Sequence, residues 1–160
     1  MSKFRIEIKW AIIFIAMMLV WMILERLVGL HDKHIEHHMI YTNFVAIPAI
    51  LIYFLALRDK RLNYYQGAMT FGQGFLSGLI ITLIVTIFSP VSQLITSYII
   101  TPHYFENVIK YTVEHGMKTQ QEAEEFFNIK AYMISGLIYT PVMGIITSLI
   151  AAPFNIRKRK

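Results

Sequence analysis

The chain has 160 residues, of which 56% are hydrophobic and 16% are charged, and its formal net charge is +5. Soluble domains carry about 25% charged residues, whereas 44 consecutive residues of this chain, 62–105, contain no Asp, Glu, Lys or Arg. The composition therefore excludes a soluble protein and predicts one integral membrane domain over residues 1–160, and the absence of cysteine excludes disulfides and thiolate chemistry.

The first predicted span covers about residues 10–30. It begins at Trp10 after a flank that contains Lys3, Arg5 and Lys9, and a basic flank of this kind also starts signal peptides. No small-residue cleavage site follows, and the apolar stretch is longer than the core of a signal peptide. We therefore expect an uncleaved first helix in the membrane.

Two charged residues, Glu25 and Arg26, lie in the outer half of this span. Charges at the bilayer centre cost at least ~2.5 kcal/mol, so they usually face the interior of a helix bundle. We expect Asn43 and Gln93 at a similar depth on other helices, and the four residues could line an outward-opening polar pocket. The alternative is that Arg26 reaches the lipid headgroups and Glu25 is hydrogen-bonded within the bundle for packing alone.

Four of the six histidines lie in the connection after the first span, at residues 31–38. On a helix, His31, His34 and His38 share one face, and imidazoles placed in this way can chelate Zn²⁺, Cu²⁺ or Ni²⁺, with an oxygen ligand from Asp32 or Glu36. The alternatives are a polar turn that keeps the connection in water, and a group of histidines that senses pH. We predict no bound cofactor, with zinc or another divalent metal at these histidines as the alternative.

The second predicted span covers residues 39–57, and basic residues follow it directly. The third apolar stretch, residues 69–100, is about 50 Å long as a helix, which is more than one membrane crossing needs and less than two need. We predict a single third span that is kinked at Pro90, because proline removes a helical hydrogen bond and the residues beyond it are more polar.

Residues 102–128, between the third and fourth spans, predict two short helices in water on the outer side of the membrane. Pro102 favours a first helical turn, and Gly116 suits the position just after a helix end. Thr119 and Glu122 have the spacing of a capping box, which predicts the start of the second helix. We interpret the segment as a cap over the outer ends of the spans, and a hairpin that docks a partner is the alternative.

The fourth predicted span covers residues 131–154 and ends at four basic residues. With four spans, one side of the membrane holds ten of the 15 basic residues, namely Lys3, Arg5, Lys9, Arg58, Lys60, Arg61, Arg157, Lys158, Arg159 and Lys160. Because cytoplasmic loops carry the excess of Lys and Arg, both termini are predicted to be cytoplasmic. The position of these clusters beside apolar blocks indicates contact with lipid headgroups and no binding of nucleic acid.

Small residues recur at every fourth position on the third and fourth spans, and each set forms a ridge along its helix. The ridge on the third span contains Gly74 and Gly78, and the ridge on the fourth contains Gly136 and Gly144. Lipid gives no hydrophobic drive for helix association, so small residues that let two backbones approach closely are typical of helix contacts. We predict that the ridges pack inside the bundle, with contact between copies of the chain as the alternative.

Several pattern features extend over nearly the whole chain. They are Lys9 and Trp10 at the start of the first span, residues 53–59 at the end of the second, Gly67, Phe71, Gly74 and Gly78 around the start of the third, and residues 98–102 before the outer helices. With these features the sequence resembles the uncharacterised bacterial membrane proteins grouped as domain of unknown function 4199. The resemblance implies a four-span inner-membrane protein with no assigned activity, and it carries over no catalytic residue.

These observations predict an all-α integral membrane protein, a four-helix bundle with a short two-helix segment on the outer side. We expect a non-enzymatic interaction or assembly component, because the sequence has no carboxylate pair within the membrane and no nucleophile–base set, and its water-exposed segment is too small to be an enzyme. Its expected partners are the lipid bilayer and either a second copy of the chain or another membrane protein. The alternative is an oligomeric transporter or channel for a small solute or ion, whose route is lined by Glu25, Arg26, Asn43 and Gln93.

Overall fold

The computed structural model describes residues 4–158, and within this part of the chain every regular element is helical. The α-helices in chain order are α1 (Arg5–Leu27), α2 (Ile35–Tyr41), α3 (Ala46–Asn63), α4 (Phe71–Ile95), α5 (Tyr104–Glu114), α6 (Gln120–Phe126) and α7 (Ile129–Phe154). A 3₁₀ turn, Thr42–Val45, joins α2 to α3, and a π-helical turn, Thr96–Ile100, follows α4. Lys3, Arg159 and Lys160, which contribute to the predicted orientation, lie outside the described residues.

Four helical segments between residues 4 and 158 are long and apolar enough to cross a membrane. They are Arg5–Leu27, Ile35–Asn63, Phe71–Ile100 and Ile129–Phe154. These segments form a bundle, which confirms the predicted all-α, four-helix membrane fold. Large apolar side chains remain exposed on the outside of every segment, as expected for helices whose surroundings are lipid tails.

Contacts between helix ends define the two ends of the bundle. The start of α1 meets the end of α3, where the Trp10 indole N–H donates to Asp59 Oδ2 at 2.7 Å. The segment before α4 meets the segment after α7 through two backbone hydrogen bonds between Met69 and Arg157, of 3.0 and 3.1 Å. We call this the terminal end, because the described chain begins and finishes there, and we call the other the opposite end.

Pro90 lies inside α4, and the helix continues past it to Ile95. Proline has no N–H, so the carbonyl of Thr86 loses the backbone donor that a helix normally supplies. The Ser89 hydroxyl donates to this carbonyl oxygen at 2.9 Å. A side-chain hydroxyl therefore replaces the backbone donor that the proline removes.

The two ridges of small residues lie against each other where α4 packs on α7. A Cβ atom added to Gly78 would lie 2.7 Å from Ser148 Cβ, and one added to Gly144 would lie 2.8 Å from Thr82 Cβ. Real Cβ atoms do not approach other carbon atoms this closely, so each contact requires glycine. Gly78 and Gly144 therefore determine how close the two helices can come.

The contact is looser towards the ends of the ridges. A Cβ atom on Gly74 would lie 3.6 Å from Ala152 Cβ, and one on Gly136 would lie 3.6 Å from Ser89 Oγ. These are ordinary van der Waals distances, although Met69 also lies close to Gly74. The middle of the interface is therefore the part that depends most on the absence of side chains.

Two short helices, α5 and α6, occupy the connection between α4 and α7. Gly116, which follows α5, has a φ of +65°, a left-handed conformation that favours glycine. At the start of α6 the Glu122 N–H donates to Thr119 Oγ1 at 3.3 Å, and the Thr119 N–H donates to the Glu122 carboxylate at 2.8 Å. The hydrogen bonds from Thr119 lower the pKa of the Glu122 carboxyl below its usual value.

Candidate functional site

A buried carboxylate, Glu25, lies near the end of α1, and it is enclosed by His31 from the following turn and His38 from α2. The exposed fraction is 2% for Glu25, 5% for His31 and 16% for His38. Nε2 of His31 lies 3.0 Å from Glu25 Oε2, and Nε2 of His38 lies 3.4 Å from the same oxygen. The Trp21 indole N–H donates to the other oxygen, Oε1, at 2.6 Å. We call Glu25, His31 and His38 the histidine–glutamate cluster.

The end of α1 has the local geometry that turns His31 back over Glu25. Gly29 has a φ of +82°, a conformation that glycine adopts without strain. The Gly29 N–H donates to Arg26 O at 3.0 Å, and the Leu30 N–H donates to Glu25 O at 2.9 Å. These two bonds form the Schellman motif that ends many helices. The helix therefore stops at Leu27 and the chain reverses within a few residues.

His34 lies apart from the cluster. Because α1 ends before the histidines and α2 begins only at Ile35, the three predicted metal ligands do not share one helical face. His34 is exposed, and its Nδ1 lies 3.9 Å from an oxygen of Glu36. The structure therefore brings together His31 and His38 of the predicted set, and Glu25 from the end of α1 stands where His34 was expected.

Helix α5 covers the cluster. The ring centroid of Tyr104 lies 5.3 Å from that of His31 and 5.2 Å from that of His38. The Asn107 amide donates to the backbone carbonyl of His31 at 2.9 Å. The hydroxyl of Tyr104 lies 3.3 Å from that of Tyr132 on α7. Burial raises the pKa of Tyr104 above its usual value, so the phenol that faces the imidazoles stays neutral.

Two buried imidazole nitrogens of the cluster have no hydrogen-bond partner among the described residues. They are Nδ1 of His31 and Nε2 of His38. A buried polar atom without a partner is uncommon in native proteins, and a bound ion or water is one frequent explanation. One ligand atom from each of the three cluster residues lies within 4.8 Å of the other two. The arrangement can therefore hold a cation between two imidazoles and a carboxylate.

The other three residues predicted to line a polar pocket do not join this cluster. The guanidinium of Arg26 donates to the carbonyl of Ile100 at 2.6 Å, and so connects α1 to the end of the π-helical turn. The Asn43 amide donates to a backbone carbonyl four residues earlier at 2.5 Å. The Gln93 amide donates to a serine hydroxyl four residues later at 2.9 Å. Each of these three side chains therefore donates a hydrogen bond to a different acceptor outside the cluster.

A second buried charged group, which the sequence analysis missed, lies at the terminal end. The ammonium of Lys60 on α3 lies 2.8 and 3.0 Å from the two carboxylate oxygens of Glu7 on α1. The exposed fraction is 1% for Glu7 and 3% for Lys60. The Ser77 hydroxyl of α4 donates to Glu7 Oε1 at 2.8 Å. The only sequence signal for this pair is one acidic residue inside the basic flank of the first span.

Of the residues that contact the histidine–glutamate cluster, only some could be expected there from their spacing in the sequence. Trp21 precedes Glu25 by four positions on α1, a spacing at which helical side chains contact each other. Asn107 lies 76 positions from His31, so only the folded arrangement shows their contact. The same holds for Tyr104 on α5. These three residues contact the cluster without belonging to it.

Comparison with known families confirms the resemblance found in the sequence. The model of the family described as protein of unknown function (DUF4199) matches residues 9–156. The matched region includes the histidine–glutamate cluster and all helices from α2 to α7. No similar protein was found among the curated proteins or among the solved structures. The match covers most of the chain, and the chain therefore belongs to the DUF4199 family.

Proposed function

We propose that this membrane protein is a non-enzymatic interaction component of the bacterial inner membrane, and that its binding site is the histidine–glutamate cluster. The burial of the cluster carries the proposal. Glu25 and His31 are almost completely enclosed, while His38 keeps one exposed edge. A substrate of ordinary size cannot reach a carboxylate that is 2% exposed, whereas the cluster is large enough for a small ion. This enclosure favours the binding of a small ligand over the turnover of a substrate.

The proposal places both termini in the cytoplasm and the cluster on the outer side of the membrane. Six described basic residues lie at or beside the terminal end in addition to the paired Lys60, namely Arg5, Lys9, Arg58, Arg61, Arg157 and Lys158. The connection that contains α5 and α6 carries five glutamates and faces the opposite direction. An excess of Lys and Arg marks the cytoplasmic side of a bilayer, which supports this orientation.

Because the chain has no cysteine, single cysteines can test the orientation. Glu124 on α6 and Lys158 after α7 are both exposed. In intact spheroplasts, a membrane-impermeant maleimide is expected to label the Glu124→Cys variant and to label Lys158→Cys only after lysis. Gel-shift measurement of the labelled fraction gives the result. Labelling of Lys158→Cys before lysis would reverse the orientation.

Native mass spectrometry tests the binding role. The chain is purified from bacterial membranes in a mild detergent and without a chelator. We expect a bound species on the wild-type chain that is absent from the His38→Ala variant, because this substitution removes one side of the cluster. The His37→Ala variant is the matched control, since His37 is exposed and lies outside the cluster. A wild-type spectrum with no bound species, identical to that of His38→Ala, would contradict the proposal.

The partner of such a component is proposed to be a second copy of the chain or another membrane protein, and the same spectra count the copies in each particle. An oligomeric transporter or channel receives less support. Arg26, Asn43 and Gln93 each donate to a separate acceptor, so these groups do not converge on one route with Glu25. A route lined by all four would require rearrangement or contact between copies.

A further inference from the structure

We propose that the histidine–glutamate cluster is a zinc site with His31, His38 and Glu25 as its protein ligands. This inference rests on the proposed function, because it names the ligand of the same site. Two imidazole nitrogens and one carboxylate oxygen are a donor set that zinc uses in catalytic sites with three protein ligands. Such sites leave a fourth position for water, and His38 is the most exposed of the three ligands. Here the burial of Glu25 and His31 keeps substrates away from the ion, so we assign the site a binding role.

The distances within the cluster fit a tetrahedral zinc ion. With zinc–ligand bonds of about 2.0–2.2 Å, two ligand atoms of a tetrahedron lie about 3.3 Å apart. The Nε2 atoms of His31 and His38 lie 3.0 and 3.4 Å from Glu25 Oε2. All three ligand atoms lie within 4.8 Å of one another. The two distances to the carboxylate oxygen bracket the value expected for a tetrahedral ion.

The unpartnered nitrogen of His38 favours a metal ion over a proton as the occupant. His31 Nε2 is within hydrogen-bond distance of Glu25 Oε2, but His38 Nε2 beside the same oxygen has no hydrogen-bond partner. A hydrogen bond between His31 Nε2 and Glu25 Oε2 gives a partner to that imidazole and to the carboxylate, but not to His38 Nε2. A zinc ion accepts electron pairs from both imidazoles and from the carboxylate at once. It also supplies the positive charge that a buried carboxylate requires.

Three neighbouring side chains hold the ligands in place. Trp21 donates to the second oxygen of Glu25, and Asn107 donates to the carbonyl of His31. The ring of Tyr104 packs against both imidazoles. Contacts of this kind orient metal ligands, and their loss typically weakens metal affinity about 10–100-fold. Trp21 and Asn107 are thus positioning residues, and their substitution should weaken zinc binding without abolishing it.

Calorimetric titration of ZnCl₂ tests the site on the purified full chain, which is freed of metal with a chelator and carries a tag without histidine. We expect one zinc ion per wild-type chain. The His38→Ala and Glu25→Gln variants should bind at least about 100-fold more weakly, because losing a ligand exceeds the ~10–100-fold effect of losing a supporting contact. The control is a double variant, His34→Ala with His37→Ala, which lacks two exposed histidines of the same connection and should bind like the wild type.

Two further measurements separate a lost ligand from a lost fold. Circular dichroism without metal shows which variants are folded. If Glu25→Gln does not fold, the Trp21→Phe variant takes its place, and we expect this variant to bind zinc about 10–100-fold more weakly than the wild type. Cobalt chloride, used as a spectroscopic substitute, should give the visible absorption of a tetrahedral site in the wild type and in the double control. This absorption should be lost in His38→Ala.

A wild-type chain that binds no zinc would overturn the inference, and so would a double control that loses as much affinity as His38→Ala. The native mass spectra distinguish an absence of zinc binding from an absence of any bound ligand. A species of another mass that depends on His38, together with no zinc binding, overturns the zinc assignment and leaves the proposed function standing. No bound species and no zinc binding overturn both.

Discussion

Replacing Glu7 by leucine is expected to lower the free energy of unfolding by about 3–5 kcal/mol, which is the effect of leaving one member of a buried ion pair without the other. The ammonium of Lys60 lies within 3.0 Å of both Glu7 oxygens, and both side chains are almost fully buried. Ser77 also loses the acceptor of its hydroxyl. Denaturant-induced unfolding in mixed micelles, followed by circular dichroism, measures the change.

The ion pair between Lys9 and Asp59 provides a matched control, because it connects the same two helices. Lys9 is about half exposed there, and exposed pairs contribute about 0–1 kcal/mol. Lys9→Met should therefore lower the free energy of unfolding by no more than about 1 kcal/mol. An equal effect of Glu7→Leu and Lys9→Met would show that the Glu7–Lys60 pair does not hold the helices together.

A double variant separates the effect of losing the whole ion pair from that of losing only its carboxylate. Replacing Glu7 by leucine and Lys60 by methionine removes both charges from the buried site. Substituting apolar residues for a whole buried pair is often neutral, whereas removing one partner is strongly destabilising. We therefore expect the double variant to be more stable than Glu7→Leu. A double variant with the same loss as Glu7→Leu would attribute that loss to packing around Glu7.

The long helices could be predicted from sequence because their signal is local. A stretch without charge that is long enough to span a bilayer indicates a membrane helix wherever its neighbours lie. The start of α6 was equally accessible, since both partners of its capping box lie within four residues. The glycine spacing on α4 and α7 is also visible along each helix. What it cannot show is that Gly78 meets Ser148 and Gly144 meets Thr82, which depends on how the helices pack.

The ligands of the candidate site required information that a helical pattern does not contain. The spacing of His31, His34 and His38 was interpreted on one continuous helix, whereas Gly29 ends α1 and Ile35 begins α2. The resulting turn exposes His34 and brings Glu25 to the other two histidines. A glycine shortly after an apolar helix is a recognised termination signal. This signal separates the histidines, but it does not identify their carboxylate partner.

The Glu7–Lys60 pair does not follow from the excess of basic residues in the flank that precedes Trp10. The predicted first span begins at Trp10, but α1 begins at Arg5 and carries Glu7 inside the bundle. A partner of opposite charge offsets the cost of burying a carboxylate at that position, and this partner, Lys60, lies 53 positions away along the chain. A basic residue near a membrane boundary can therefore also pair with a carboxylate that is buried inside the bundle.

Replacing Gly144 by leucine is expected to lower the free energy of unfolding by about 3 kcal/mol, the upper end of the usual effect of overpacking. The new side chain would have to displace Thr82, whose Cβ lies only 2.8 Å from the position of an added Cβ. Thr82 is also within 2.8 Å of the Tyr53 hydroxyl, so the displacement extends to α3. The thermal unfolding temperature in detergent should fall accordingly.

The Gly72→Leu variant is the matched control, since Gly72 lies on the same helix as Gly78 and an added Cβ would meet nothing within 4 Å. Leucine is a better helix former than glycine by about 0.5–1 kcal/mol, so this variant should be at least as stable as the wild type. Equal losses of stability in Gly72→Leu and Gly144→Leu would show that the close contact is unimportant.

If the ridge served contact between copies, Gly144→Leu would reduce the number of copies per particle and leave the stability of each chain unchanged. The packing of Gly144 on Thr82 within one chain predicts the reverse, a less stable chain in particles of unchanged copy number.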